Sequence, residues 1–189
     1  MNGDDYKVGL LFSRASLTAA SETAQANAIH LAIAEVNASG GINGRRVTAI
    51  DGDPGADPND YRDSALHLCD HHQVQVLFGT HMSSTRKVVL PVVESRRRLL
   101  FYPTLYEGFE YSPYCFYTGS APNQNSLQLA RYVLQTYGGR VLFVGGSYVY
   151  PYESNRIMRE LFEQAGGEIV DEIYLPFHAT AEDFERVMQ

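Results

Sequence analysis

Cysteine is scarce in this chain. The two residues, Cys69 and Cys115, lie far apart and in no metal-ligand spacing. That excludes a disulfide-stapled scaffold and a cysteine metal cluster. The pair is read as two buried free thiols, with a single bridge as the other option. Long apolar runs are missing as well: nothing approaches the roughly 20 residues that span a bilayer. Positive charge is in deficit, with 15 Lys and Arg against 22 Asp and Glu and a net charge of -7. Phosphate needs a cationic face, so direct nucleic-acid binding is not expected. The one basic cluster, Arg96-Arg97-Arg98, is read as a helix C-terminus, where cations suit the macrodipole. The first five residues, Met1-Asn2-Gly3-Asp4-Asp5, lack the basic and apolar regions of a secretion leader. The expected location is cytoplasmic, or periplasmic if a leader has been removed.

Enzyme signatures are also missing. No G-x-S-x-G elbow, P-loop or H-E-x-x-H occurs, and no Gly-rich fingerprint opens the first helix. No catalytic residue, dinucleotide or other cofactor is therefore expected. His67 and His71 stand four apart on one helical stretch but lack a third ligand nearby in sequence, so no metal is expected either.

What is present is regular. The 189 residues are 44% apolar and 20% charged, enough for one large domain or one domain plus part of another. Apolar, β-branched stretches at 6–12, 46–50, 74–78 and 99–102 read as strands. Helical periodicity separates them. Ala24, Ala28, Ile29, Ala32, Ile33 and Val36 mark one helix, stopped by Gly40-Gly41. Residues 57–72 form the next, with Asp57 as N-cap and Pro58 just inside, and residues 83–96 the third. This β-α alternation predicts a doubly wound parallel α/β sheet.

An irregular stretch, 103–113, follows, then a short strand at 116–118. The alternation restarts near Asn123, with a helix over 123–137, a strand over 140–145, a helix over 151–165, a strand over 168–175 and a helix from about Glu182. The expected division is a first α/β ligand-binding lobe over 1–118 and the start of a second over 119–189. Two strands make a poor independent sheet and the last helix has no cap, so the second lobe is expected to be incomplete. The rival is one continuous domain, with 140–145 in the same sheet as 74–78.

Open α/β sheets bind ligands at the carboxyl ends of their strands. There the chain places hydroxyls and aromatics. In Phe78-Gly79-Thr80-His81-Met82-Ser83-Ser84-Thr85 a glycine ends a strand and hydroxyls open a helix, whose free N–H groups suit a carbonyl or carboxylate oxygen. Ser83 is either a ligand contact or an N-cap. Tyr102, Tyr106, Tyr111, Tyr148 and Tyr150 each offer a flat apolar wall with one polar tip. The loops from His81 to Tyr106 offer hydroxyls and one histidine, with only Glu107 as a nearby acid, whereas an ammonium-bearing ligand would need an anchored one. A neutral ligand needs only hydrogen bonds.

Four segments carry a family resemblance. They are Met82-Ser83-Ser84-Thr85-Arg86-Lys87-Val88-Val89-Leu90-Pro91-Val92-Val93-Glu94, Tyr102-Pro103-Thr104-Leu105-Tyr106-Glu107-Gly108-Phe109-Glu110-Tyr111-Ser112-Pro113, Ala121-Pro122-Asn123-Gln124-Asn125, and Tyr148-Val149-Tyr150-Pro151-Tyr152-Glu153-Ser154-Asn155. In these the chain resembles the amide-binding negative regulators of amidase operons and the urea-binding proteins of uptake transporters. Both are members of the periplasmic-binding-protein type 1 superfamily. The resemblance implies a sensor that closes two lobes on a short aliphatic amide or urea. It would control amidase-type gene expression through an RNA-binding antiterminator partner. The alternative it implies is the substrate-binding component of an ABC transporter for urea or short amides, with a membrane permease as partner. Either is compatible with a homo-oligomer. The ligand residues carried over are Ser83, Tyr102 and Tyr148, with Thr104 and Glu107 in the same wall and Tyr150 beside it. His81 departs from the aromatic of the amide regulators and is expected to alter ligand choice.

Overall fold

The computed structural model describes residues 5–188, so the leader reading of residues 1–5 lies almost wholly outside it. Along the chain run β1 (Tyr6–Leu11), α1 (Ala19–Ala38), β2 (Val47–Asp51), α2 (Pro58–Asp70), β3 (Val76–Gly79), α3 (Ser83–Arg96), β4 (Leu99–Tyr102) and β5 (Cys115–Tyr117). Then come α4 (Ser126–Tyr137), β6 (Arg140–Gly146), α5 (Val149–Gln164), β7 (Glu168–Leu175) and α6 (Ala181–Val187). Two compact units divide the chain: Met1–Leu105 with Glu110–Gly119, and Tyr106–Phe109 with Ser120–Gln189. The short segment Tyr106–Phe109 thus groups with the second unit, although it lies within the 1–118 span.

The first unit is a five-stranded parallel sheet in the order β2-β1-β3-β4-β5. That is the doubly wound arrangement, and the strand order reverses between β1 and β3. β6 and β7 form a separate parallel pair, so residues 140–145 do not join the sheet that holds β3.

Local chemistry explains the boundaries. Asp57 caps α2 through Asn59 N at 2.7 Å, and Asp60 completes a capping box. This satisfies donors that the first turn leaves orphaned. α3 ends where Arg97 adopts a left-handed φ of 51° and Arg98 N reaches back to Val93 O at 2.8 Å, a helix-terminating wrap. The arginine cluster is indeed a helix end, and Arg96 pairs with Asp70 at 3.0 Å. α5 opens at Val149 rather than Pro151; Pro151 falls in its first turn, where a missing N–H costs little.

Alternation along the strands sorts the sheet into two faces. Leu77, Leu100 and Cys115 are buried on one face. A Cβ built on Gly9 of the neighbouring strand would meet Leu68 Cδ1 at 3.0 Å, so α2 presses directly onto the backbone there. Tyr61, Ala65, Leu68 and Cys69 of α2 and Val89, Val92 and Val93 of α3 complete this core. The opposite face carries a ladder of stacked rings, Phe78 on Phe101 at 5.3 Å and Phe101 on Phe116 at 4.8 Å.

α1 turns inward a face other than the one its alanines suggest. Ala24, Ala28, Ala32 and Val36 are exposed, Ile29 and Ile33 half-buried, and Glu22 is the helix's buried residue. Alanine has little apolar area to gain by burial. The inner face therefore goes to the two isoleucines and to polar side chains with specific partners. Asn37 is one: its amide exchanges two 2.8 Å bonds with the Val47 backbone and fixes the start of β2.

In the second unit α4 and α5 pack on β6 around Ala130, Phe143, Met158 and Phe162. Among the described residues no helix of either unit is long and apolar enough to cross a membrane.

Cys69 and Cys115 are unpaired and buried. Burial pushes each thiol up to about 11. Since the thiolate is the nucleophile, neither is expected to react with iodoacetamide at neutral pH in the native protein, and both should react in denaturant. Rapid native labelling of either would contradict this packing.

Candidate functional site

In doubly wound sheets the reversal of strand order is where a ligand crevice is expected, here at the carboxyl ends of β1 and β3. At Gly79, φ is +142° and a Cβ would lie 2.5 Å from Leu11 O. Only glycine lets β3 leave the sheet so close to β1.

The loop after β1 is organised by a side chain that the sequence did not mark. Glu22, in the first turn of α1, is fully buried. Its carboxylate accepts from Ser13 N at 2.8 Å, Ser16 Oγ at 2.6 Å, Thr18 Oγ1 at 2.7 Å and the Tyr61 hydroxyl at 2.7 Å. Two donors per oxygen fill the acceptor capacity of a carboxylate. Ser13 Oγ in turn accepts from Ala15 N and Ser16 N, both at 3.0 Å. Burial, reinforced by Glu22, drives the Tyr61 phenol well above its usual range.

After β3 the chain passes through Thr80, His81 and Met82 into α3. Met82 takes the N-cap position in extended conformation, without a side-chain cap bond. Ser83 is the first helical residue and is buried, so it is not the N-cap.

Tyr102 closes β4. It is fully buried, and its hydroxyl donates to the His81 carbonyl at 2.8 Å. The Arg86 guanidinium lies over its ring at 4.7 Å and pairs with Glu110 at 2.8 Å. Tyr102 therefore supports the His81 backbone from beneath. Thr104 sits at the same edge. Its Oγ1 lies 3.5 Å from Thr80 O and 3.4 Å from Gln25 Nε2, while Gln25 Oε1 meets His81 Nδ1 at 3.1 Å. Burial lowers the His81 pKa below its ordinary value, opposed by the Glu22 charge.

The first unit thus brings His81, Ser83, Tyr102 and Thr104 together. Gln25 and Glu22, one turn apart on α1, were missed. The available signal was that they fall on the same helix face as Ile29 and Ile33.

Glu107, Tyr148 and Tyr150 belong to the second unit. Glu107 is buried. Tyr148 is the N-cap residue of α5, and its ring stacks on Phe177 at 4.8 Å. A Cβ on Gly146 would lie 2.8 Å from that ring, so the glycine lets the tyrosine fold over the end of β6. Tyr150 lies in the first turn of α5. Its phenol is pushed up by burial and by nearby Tyr148 and Glu107, against hydrogen bonds with Ser154 and Asn125. His67 and His71 have ring centroids 4.7 Å apart. Among the described residues no group of three or more potential ligands is arranged for a metal.

Replacing Glu22 by Gln puts an amide donor among four donors. Glu22→Gln is expected to destabilise by about 1–3 kcal/mol per stranded buried group, measured by denaturant unfolding. It should also lower the Tyr61 pKa in an ultraviolet titration, since Glu22 helps to raise it. An unchanged Tyr61 titration and unchanged stability would contradict this network.

Comparison with known proteins places these features in a family. The periplasmic binding protein domain matches residues 6–189. Among solved structures, the branched-chain amino acid transporter substrate binding protein LivJ from Streptococcus pneumoniae, in complex with isoleucine, is 20% identical at a TM-score of 0.86, covering 98% of this chain and 54% of its own. A solute binding protein of an ABC transporter from Rhodopseudomonas palustris BisB5, in complex with 3,4-dihydroxybenzoic acid, is 23% identical at 0.87, covering 98% and 52%. An ABC transporter solute binding protein from R. palustris in complex with benzoate is 19% identical at 0.82, covering 97% and 52%. The chain thus spans about half the length of these structures. With a doubly wound first unit, an organised strand-end site and a family match over nearly its whole length, this chain belongs to the periplasmic binding protein domain family.

Proposed function

We propose that this chain is the solute-holding part of a substrate-binding protein for an ABC transporter, and that its solute is a short amide or urea. The observation that carries this reading is the neutral polar set at the end of β3 and β4. His81 is held toward its neutral form by burial, with the hydroxyl residues Ser83 and Thr104 beside it. The charged side chains next to this set are engaged elsewhere: Glu22 by four donors and Arg86 by Glu110. A neutral carbonyl compound requires only hydrogen bonds from such a set.

Transport is preferred to gene control because the similar solved structures described as ABC transporter proteins are solute-binding ones. This reading brings a membrane permease as partner and a periplasmic location. A sensor acting through an antiterminator would share the ligand and differ in partner. The proposed ligand residues are Ser83, His81 and Thr104, with Tyr102 supporting them. Glu107, Tyr148 and Tyr150 stay in the proposed ligand set on the strength of the resemblance alone.

Calorimetry of the full-length protein against acetamide, propionamide and urea, with acetate, isoleucine and 4-hydroxybenzoate as rivals, tests this. Binding of the amides or urea over the acids is expected. Ser83→Ala should weaken that binding by about 0.5–1.5 kcal/mol, the value of a neutral hydrogen bond. Tyr102→Phe should act through the released His81 carbonyl. Preference for an acid would replace the ligand class. Wild-type affinity in both variants would remove these residues from the site.

A further inference from the structure

The bonds that join Thr80, Thr104, Gln25 and His81 have a direction. The Thr80 carbonyl can only accept, so Thr104 donates its hydroxyl proton to it at 3.5 Å. The Thr104 oxygen then accepts from Gln25 Nε2 at 3.4 Å. This orientation of the amide points Gln25 Oε1 at His81 Nδ1, 3.1 Å away. A carbonyl oxygen cannot donate, so Nδ1 must carry the proton. In a neutral imidazole one nitrogen donates and the other accepts. Nε2 is therefore left as the acceptor, and among the described residues it has no hydrogen-bond partner. The ring is half-buried. Its backbone is held by Tyr102 through the 2.8 Å bond to the His81 carbonyl.

We propose that Gln25 is a specificity-determining positioning residue: by fixing the Nδ1–H tautomer of His81 it presents Nε2 as an acceptor that selects solutes bearing an N–H, amides or urea, against carboxylates. This rests on the solute-binding reading above and deepens it. An amide N–H donates to Nε2, whereas a carboxylate oxygen brings a second lone pair to the same point. A site built to bond one hydrogen discriminates against an analogue lacking it, because a buried group is then left unmet.

Charge reverses the selection. Burial lowers the His81 pKa, so the ring is neutral at and above neutral pH. As pH falls through that lowered value, Nε2 gains a proton, loses its acceptor and becomes a cationic donor. Among the described residues the charged group acting on the ring is the Glu22 carboxylate, from α1, which favours the protonated form. Its other contacts are neutral: the Gln25 amide from α1 and the Tyr102 hydroxyl from β4.

Acetamide and acetate, nearly equal in shape, are the probes. In the full-length protein acetamide is expected to bind about tenfold or more tightly than acetate at about pH 8, with the ratio falling and then inverting as pH drops through the lowered His81 pKa. Gln25→Leu frees the tautomer and should reduce the ratio at high pH by up to about tenfold. Gln25→Glu adds a negative charge beside Nδ1 and should move the crossover to higher pH. Nitrogen-15 NMR of the histidines should show the His81 proton on Nδ1 in the parent and a mixture in Gln25→Leu, a signature that loss of packing alone does not produce. A parent that binds acetamide with a pH-independent ratio, or with the His81 proton on Nε2, overturns the inference and leaves the solute reading standing. A parent that binds neither probe overturns both.

Discussion

A carboxyl group withdrawn from water must be met by donors or it destabilises the fold, and the first unit is arranged around meeting one. Glu22 is fully buried in the opening turn of α1. Three of its four donors come from the loop after β1 and the fourth is Tyr61 on α2. Satisfying that carboxylate therefore ties two helices to one strand end. It also sets the rotation of α1 about its axis, because Glu22 must face inward. Gln25, nearly one turn later, then faces the end of β3 and β4, where it meets His81 and Thr104. The geometry at the strand ends is a consequence of where one acid is held.

A second constraint works from the opposite side of the sheet. Arg86 is as buried as Glu22 and is met by Glu110 and by the faces of Tyr102 and Tyr117. It fixes Tyr102, whose hydroxyl reaches through to the His81 carbonyl. His81 is thus held through its ring from α1 and through its backbone from β4. Two buried charges of opposite sign, each satisfied locally, flank the candidate site with its hydroxyls and the His81 imidazole.

The architecture was legible because periodicity reports it. Asp57-Pro58 falls where capping chemistry places a helix start, and the strand at 99–102 where a continuous apolar run places it. Separation of β6 from the first sheet followed from the restart of alternation after the irregular stretch. The site was half legible. Strand ends rich in hydroxyls located His81, Ser83 and Thr104, but burial and hydrogen-bond direction are properties of three dimensions. A tyrosine at a strand end can serve as wall or strut, and the 2.8 Å bond from Tyr102 to the His81 carbonyl is a contact that sequence does not reveal. Glu22 and Gln25 were passed over because the alanines of α1 suggested a different inner face. One partner of Glu22, Tyr61, lies 39 residues away, so the helix face that Glu22 shares with Ile29 and Ile33 does not by itself reveal the bond.

The claim that this strand-end set holds the solute is tested most directly by mapping amide chemical-shift changes in the full-length protein as acetamide or urea is titrated in. The account predicts that, within the first unit, the largest changes fall on the backbone of 13–16, 80–84 and 104, the segments tied to Glu22 and Gln25. Saturable changes centred elsewhere in that unit, with these segments unmoved, would contradict it.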